Sequence, residues 1–396
     1  MFGKQLLNYM PGLQTLLAYD KSWLKNDVKA GLSVAAVALP VAIAYAELAG
    51  VGAIVGLYSC VLPMIAYALF GSSRQLIVGP DATTCAVIAA VVFPLSAGNP
   101  ELHWQLTIIM TLMMGGWCLL ASKFRLGALA DLLSHPILTG LLNGVAVTII
   151  VGQLGKVLGI KLDEAQVIEK IMALPGRLSE SHLLTVGISL LTLIILIVIK
   201  TYRSHWPAPL IAIVMTTLLV WATSAQQYGI ATIGGEGFQP GLPVVNWGAF
   251  QPGPMRDLVI PALNLALVSF VSLMLTARSF AAKNGYEINA DAEFRALGIA
   301  NLMSGLSQGF AISGADSRTA VNDSVGGKSQ LVSIVAALLI GIVVVFFTQP
   351  LQFIPVSALG IVLMYASWSL IDLRGLWNLR RRNKQAFRLA FFTFGC

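Results

Sequence analysis

Two short motifs of this chain combine acidic, hydroxyl and basic side chains, and they resemble each other. V-G-P-D-A-T-T occupies residues 78–84, and S-G-A-D-S-R-T occupies residues 313–319. The alignment that places Gly79 on Gly314 also pairs identical residues: Asp81 with Asp316, Thr84 with Thr319, Ser72 with Ser307, and Ile77 with Ile312. This indicates an internal repeat. In membrane proteins, matched polar interruptions in two halves of a chain point to a substrate site near the bilayer midplane.

The chemistry that these motifs suit is anion binding. A helix N-terminus presents unpaired backbone N–H groups and the positive end of the helix dipole, so two such ends that meet form an anion site. Arg318 strengthens this interpretation, because an arginine at membrane depth costs roughly 2.5–3.5 kcal/mol and usually faces a cavity or a partner. The alternative is structural: Arg318 forms a salt bridge with Asp316 or Asp323.

Asp81 and Asp316 also have two interpretations. Each is placed to N-cap a short helix by accepting a hydrogen bond from a free N–H group, which is the interpretation we favour. Alternatively, one of them titrates, because burial opposes ionisation and protonation would relieve repulsion with an entering anion. Anion ligation and capping are likewise both open for the hydroxyls of Thr83, Thr84, Ser317 and Thr319.

The composition indicates a membrane protein. The chain of 396 residues is 57% hydrophobic and 11% charged, against roughly 25% charged residues in a soluble domain. Its apolar runs predict spans near residues 28–49, 52–70, 80–97, 103–121, 135–157, 182–200, 207–226, 257–280, 292–309, 316–325, 330–349 and 351–371, with a further helix starting near Phe387. The segments at 80–97 and 316–325 are too short or interrupted to cross, because crossing takes about 20 apolar residues. We predict that they are half-helices.

Basic residues predict the topology. Residues 1–27 are expected to form a cytoplasmic segment and residues 28–396 the transmembrane domain, with a first repeat at about 28–226 and an incomplete second repeat at about 257–396. With the N-terminus inside, these basic residues fall in the cytoplasm: Lys123, Arg125, Lys200, Arg203, Arg278, Lys283, Arg374, Arg380, Arg381, Arg382, Lys384 and Arg388. The loop 156–181, which this topology places outside, fits the positive-inside rule poorly, because it holds Lys161, Lys170 and Arg177. In this topology the second half-helix is inverted relative to the first.

Enzyme chemistry is not indicated. Cys60, Cys85 and Cys118 stand singly in apolar segments, which is typical of small buried hydrophobic residues. We see no set of nucleophile, base and orienting group, and no metal-ligand spacing. We therefore predict a protein that is not an enzyme and needs no cofactor, metal or nucleic acid.

Longer motifs resemble one known family. S-G-A-D-S-R-T-A-V-N-D-S-V-G-G-K occupies residues 313–328, and A-R-S-F-A-A-K-N-G-Y-E-I-N-A-D-A-E-F occupies residues 277–294. The first span contains L-P-V-A-I-A-Y-A-E-L-A-G followed by G-L-Y-S-C-V-L-P, and G-S-S-R with V-G-P leads into the third. From about Lys29 to Arg382, these motifs resemble the sulfate permease (SulP) family of anion transporters.

The resemblance implies an all-α membrane protein of two inverted seven-helix repeats. That fold is shared with uracil permease: a core domain slides against a gate domain, and the anion lies between two half-helices that meet at the midplane, beside helices one and eight. By position, Ser317 and Arg318 match the family's anion-binding Ser-Arg pair. Tyr45 matches an aromatic residue of helix one, and Gly79 and Pro80 match the third-helix turn.

Three departures from the family pattern affect what can be transferred. Val41 stands where many relatives have Gln, and Ser272 stands where relatives often carry the helix-eight acid associated with cation coupling. The chain also stops at Cys396, inside the thirteenth predicted helix. The last helices and the cytoplasmic STAS domain usual in the family are therefore expected to be absent, leaving a C-terminally incomplete fold.

We predict a secondary transporter of small inorganic or carboxylate anions in the inner (plasma) membrane, working by alternating access. Sulfate, bicarbonate, chloride, nitrate and dicarboxylates all suit the site. The sequence leaves the oligomeric state open, with a homodimer as one alternative. The predicted substrate-binding residues are Tyr45, Gly79, Pro80, Asp81, Thr83, Thr84, Ser272, Gly314, Ala315, Asp316, Ser317, Arg318 and Thr319. Two rival functions are an anion channel and a truncated, non-transporting membrane protein that acts as an assembly partner.

Ser272 yields a prediction about coupling. A hydroxyl does not titrate near neutral pH, so acid-driven uptake through helix eight should be missing. Transport by a full-length form should then be exchange or cation-independent uptake, unless Asp81 or Asp316 carries the proton. Anion uptake into proteoliposomes under an imposed pH gradient tests this for the natural chain, Asp81→Asn and Asp316→Asn. If the natural chain and both variants show strong acid-driven accumulation, neither aspartate carries the proton, and the prediction from Ser272 is contradicted as well.

Overall fold

A computed structural model describes residues 9–127, 135–162, 167–203, 206–234, 255–368 and 371. Among these residues the regular elements are helices, apart from two strands of two residues each. In chain order the elements are α1 (Pro11–Leu17), α2 (Leu24–Leu48), α3 (Ala53–Phe70), β1 (Val78–Gly79), α4 (Ala82–Ser96), α5 (Pro100–Lys123), α6 (His135–Gly152), α7 (Leu154–Leu158), α8 (Val167–Arg177), α9 (Leu183–Tyr202), α10 (Ala208–Thr223), α11 (Met255–Asn284), α12 (Ala290–Leu306), β2 (Ser313–Gly314), α13 (Asp316–Val325), α14 (Leu331–Phe346), α15 (Thr348–Leu351) and α16 (Val356–Trp368).

Helix length separates spanning helices from half-helices. Five helical segments among the described residues are long and apolar enough to cross a bilayer. These are α3, α5, α9, α11 and the segment Lys21–Leu48, which contains α2. In contrast, α4 has 15 residues and α13 has 10. At about 1.5 Å per residue neither reaches across a hydrocarbon core of about 30 Å. The two half-helices predicted from the sequence are thus present as α4 and α13.

The helices divide into two compact units. The first unit contains α1–α5 and α11–α14, and it shows the inverted repeat directly. The order helix, helix, strand, half-helix, helix occurs twice, and the packing follows it: α2 packs on α14 as α11 packs on α5, and α3 packs on α14 as α12 packs on α5. The equivalent strands β1 and β2 pair antiparallel. The two copies therefore run in opposite directions through this unit.

The second unit contains α6–α10, α15 and α16. Its central element is α16, which packs against α6, α7, α9 and α10. Between α15 and α16 the chain makes a turn, and its residues 352–356 hydrogen-bond with residues 231–234, with Thr232 opposite Pro355. Because of this turn, the helix of the span predicted near 351–371 begins only at Val356. The span predicted at 135–157 is interrupted at Gln153, which separates α6 from α7.

Some sequence predictions fall outside the described residues. These are the thirteenth helix near Phe387, the basic cluster from Arg374 to Arg388, and residues 235–254 of the linker between the repeats. The assignment of residues 1–27 to the cytoplasm stays a prediction.

Two glycines let α5 and α12 pack at close range. A Cβ atom added to Gly115 would lie 2.9 Å from the carbonyl oxygen of Gly298, and one added to Gly298 would lie 2.9 Å from that of Gly115. The side chains of Leu302 and Leu119 close the contact on either side, each 3.0 Å from such an atom. Backbone cannot move aside as a flexible side chain can. The crossing therefore requires glycine on both helices.

We predict that Gly115→Ala destabilises the protein by about 1–3 kcal/mol, because the added methyl group forces the two backbones apart. Gly116→Ala is the matched control, since nothing lies within 4 Å of a Cβ atom added there. Both substitutions change helix propensity equally, so their difference isolates the crossing. Thermal unfolding in detergent measures it. Equal melting temperatures for the two variants would show that this contact is not restrictive.

Candidate functional site

The two repeated motifs meet at the paired strands. Val78 lies opposite Gly314, and Gly79 lies opposite Ser313. The Ala315 amide also donates to the Ile77 carbonyl, at 2.8 Å. Because α4 and α13 begin within three residues of these strands, their N-termini are brought to the same place in the first unit.

Arg318 is the largest fully buried side chain among the described residues, and it is 1% exposed. Its Nη2 atom donates to the Pro80 carbonyl. Nε and Nη1 are buried and have no hydrogen-bond partner in the part of the chain that the structure describes. An unsatisfied buried donor costs about 1–3 kcal/mol, and more when it is charged. These two atoms therefore provide strong donors for a ligand.

Gly79 makes room for the Arg318 guanidinium. A Cβ atom at Gly79 would lie 2.6 Å from Nη1 and 3.3 Å from Cζ. The Gly79 backbone has a φ of +156°, a conformation that residues other than glycine rarely adopt. Gly314 has a related role on the other strand, where an added Cβ would lie 2.9 Å from Cα of Leu273 on α11.

The salt bridges considered for Arg318 are not formed with either predicted partner. The Asp316 carboxylate accepts a hydrogen bond from the Thr276 hydroxyl on α11. Asp323 pairs with Lys283 Nζ at 2.5 Å and accepts from Asn284 Nδ2 at 2.7 Å. Both carboxylates thus have other donors within the described residues, and the structural interpretation of Arg318 loses its partners.

Only one of the two predicted aspartate caps is present. Asp81 is the N-cap of α4, and its carboxylate accepts from the Thr83 amide at 3.2 Å. The prediction for Asp316 is wrong: Ala315 is the N-cap of α13, and Asp316 is the first helical residue. The Thr276 hydroxyl attracts its carboxylate towards α11 instead. No side chain caps α13 among the described residues.

The predicted hydroxyl ligands also divide. Thr84 Oγ1 donates to the Asp81 carbonyl at 2.9 Å, and Thr319 Oγ1 donates to the Ala315 carbonyl at 2.8 Å. Thr319 Oγ1 additionally accepts from the Ile77 amide at 3.0 Å, which joins α13 to the strand of the other repeat. These repeat-related threonines therefore secure the backbone. Thr83 is buried, whereas Ser317 is exposed on α13.

The remaining predicted residues flank this point. Tyr45 is buried on α2, within electrostatic range of Asp81 and Arg318. Ser272 is half-buried on α11, one turn before Thr276, whose hydroxyl oxygen lies 3.1 Å from the Ser272 carbonyl oxygen. All the predicted site residues thus lie in the first unit.

Sequence reasoning missed a buried carboxylate that holds the approach to β1. Glu293 on α12 is 0% exposed. Its carboxylate accepts from the Tyr67 hydroxyl at 2.6 Å, from the Ser72 amide and hydroxyl at 2.7 Å, and from the Ser73 amide at 3.0 Å. The available signal was an acidic residue in the A-D-A-E-F motif at the start of a predicted membrane span.

The same turn is held from a second side. The Tyr286 hydroxyl contacts Ser73 Oγ at 3.0 Å and accepts from the Arg74 amide at 3.2 Å. Burial raises the pKa of the Tyr286 phenol, although its hydrogen bonds with Ser73, Arg74 and Gln75 oppose the shift. The phenol therefore remains protonated at neutral pH.

Asp27 is a second missed anchor. It is 0% exposed at the start of α2 and accepts from the Lys328 amide and the Ser329 hydroxyl, both at 2.6 Å. The loop that follows α13 is thereby attached to the first helix of the opposite repeat. Thus one buried carboxylate secures the segment before β1, and another secures the segment after α13.

We predict that Gly79→Ala destabilises the protein by about 1–3 kcal/mol, from backbone strain together with displacement of the Arg318 guanidinium. Gly98→Ala is the control for strain alone, since Gly98 has a φ of +82° but nothing within 4 Å of an added Cβ. Thermal unfolding of both variants in detergent gives the comparison. A loss at Gly79 no larger than that at Gly98 would mean that the guanidinium does not depend on this glycine.

Comparison with known proteins identifies the family of this chain. The model of the sulfate permease family matches residues 24–393. A probable sulfate transporter of Mycobacterium tuberculosis is 38% identical over 385 residues, which are 97% of this chain and 68% of that protein. The chain thus spans about two thirds of that relative.

Solved structures show the same fold. The murine solute carrier 26 family member A9 anion transporter, in its inward-facing state, matches with a TM-score of 0.89 at 21% identity, over 99% of this chain and 69% of that one. The transmembrane domain of a cyanobacterium bicarbonate transporter, BicA, matches with a TM-score of 0.83 at 25% identity, over 95% of both chains. The resemblance found in the sequence motifs is confirmed: this chain belongs to the sulfate permease family, a family of anion transporters, and has its multi-pass, all-α membrane fold.

Proposed function

We propose that this chain forms the membrane-spanning part of a secondary transporter that carries a small inorganic or carboxylate anion by alternating access. The anion is held at the N-termini of α4 and α13, beside Arg318. The observation that carries the proposal is the Arg318 guanidinium, buried at this point with Nε and Nη1 unpaired within the described residues. A buried cation with free donors requires an anionic partner.

The two helix ends contribute unequally. Each N-terminus carries about half an elementary positive charge. At α4, Asp81 already satisfies the Thr83 amide, so part of that end is occupied. At α13 no described side chain caps the first turn. We therefore assign the principal contacts to the α13 end: its first amides, the exposed Ser317 hydroxyl, and Arg318.

Alternating access is supported by the grouping of the site residues. The proposed ligands lie in one compact unit that is cross-linked by the β1–β2 pairing and by the Glu293 and Asp27 anchors. Such a unit can keep the anion bound while access to it changes. The basic residues between the spans support a plasma-membrane protein with its N-terminus in the cytoplasm. Relatives named for sulfate and bicarbonate favour an oxyanion, which matches the donor geometry of a guanidinium.

We predict that Arg318→Ala weakens anion binding about tenfold to a hundredfold, since a hydrogen bond to a charged group contributes about 1.5–3 kcal/mol. Arg318→Lys should fall between, because the charge remains but the planar donors are lost. Lys283→Ala, which removes an exposed cation of the same unit, should leave affinity unchanged. Calorimetric titration of purified protein with sulfate, bicarbonate, chloride and nitrate measures all three.

An unchanged affinity in folded Arg318→Ala would contradict the site. Stable single-channel currents in planar bilayers, in place of saturable uptake, would instead favour an anion channel. The two measurements separate failure of the site from failure of the transport mechanism.

A further inference from the structure

The helix α8 of the second unit has its apolar side outward. Ile168, Ile171 and Met172 are 65%, 48% and 76% exposed, and Leu178, just beyond the helix, is 49% exposed. Their spacing of three and four residues places them on one face. A surface helix of a soluble protein has the opposite arrangement, with its apolar face buried.

The other side of α8 carries basic residues and faces the protein. Lys170 and Arg177 are half-buried, and Arg177 Nη1 donates to the Lys161 carbonyl at 2.5 Å. The helix also contacts α6. Its orientation is therefore set by packing and hydrogen bonding on the polar side, which leaves the apolar side uncovered among the described residues.

Chain connection places α8 beside the bilayer. A 3₁₀ turn, Leu178–Glu180, and two further residues lead directly into α9. That helix is long and apolar enough to cross, and its first residues, Leu183 and Leu184, are exposed. The exposed apolar side of α8 thus continues into the lipid-facing start of α9. With 11 residues, α8 extends for only about 16 Å and cannot itself cross.

We propose that α8 is an interfacial helix that lies in the plane of the membrane, in the leaflet where α9 begins. Ile168, Ile171 and Met172 enter the boundary between headgroups and acyl chains, to a depth of about 5–10 Å. Lys170 and Arg177, on the side of the helix that packs on the protein, then lie at headgroup level. This accounts for basic residues in a loop that fits the positive-inside pattern poorly. The occupant of the apolar face is the lipid bilayer.

Nitroxide labelling of the whole chain in proteoliposomes tests this. Cys60, Cys85 and Cys118 are 0% exposed and stay in place, and Cys396→Ser removes the remaining thiol. Single labels are attached through Ile168→Cys, Met172→Cys and the control Lys170→Cys, which lies on the opposite, polar side of the same helix. Power saturation with oxygen and with the water-soluble nickel chelate NiEDDA then reports depth.

The expected result is that labels at 168 and 172 are several-fold more accessible to oxygen and several-fold less accessible to NiEDDA than the label at 170. Equal NiEDDA access at 172 and 170 would show that water covers the apolar face and would overturn the proposal. Immobilised labels that neither reagent reaches would overturn it as well, because a second copy of the chain or another protein segment would then be the occupant.

Discussion

A buried guanidinium with free donors is the constraint on which the first unit depends. Removing a cation from water is expensive, and the unit provides Arg318 with one carbonyl partner, that of Pro80, and no carboxylate from Asp316 or Asp323. The surrounding structure must therefore hold the group in place by other means. Gly79 leaves space for the guanidinium, and the pairing of β1 with β2 fixes the backbone on which Gly79 lies. Two donors of the group stay unpaired among the described residues, and this is the observation on which the proposed anion site rests.

The inverted repeat explains how two half-helix ends come together, and its departures from symmetry make the two ends different. Two copies of one pattern bring two half-helices to a common point. The copies then differ in detail: Asp81 caps α4, whereas Asp316 turns to Thr276 on α11 and leaves the first turn of α13 to other partners. Symmetry therefore places the two positive ends together, and the local differences are the reason why we assign the principal contact of the proposed anion site to α13.

The acidic and hydroxyl residues show that polar residues in an apolar chain serve two purposes. Glu293 and Asp27 are buried but fully engaged with donors from the chain, so they fix loops. Thr84 and Thr319 bond to carbonyls one turn back, which secures the half-helix starts. Only Arg318 combines burial with unused donors among the proposed ligands. The distinction between structure and function at this site is thus one of hydrogen-bond satisfaction.

The sequence by itself determined the class of the protein, the half-helices and the family. Apolar run length follows from the thickness of a bilayer, and the matched motifs at residues 78–84 and 313–319 are local patterns, so both can be read along the chain. The choice of hydrogen-bond partner depended on the tertiary structure. Whether Asp316 caps its own helix or bonds to Thr276, and whether Arg318 meets a carboxylate or the Pro80 carbonyl, depends on side chains distant in sequence. The outward apolar face of α8 was likewise decided by packing, because periodicity shows that a helix has two faces but not which one the protein covers.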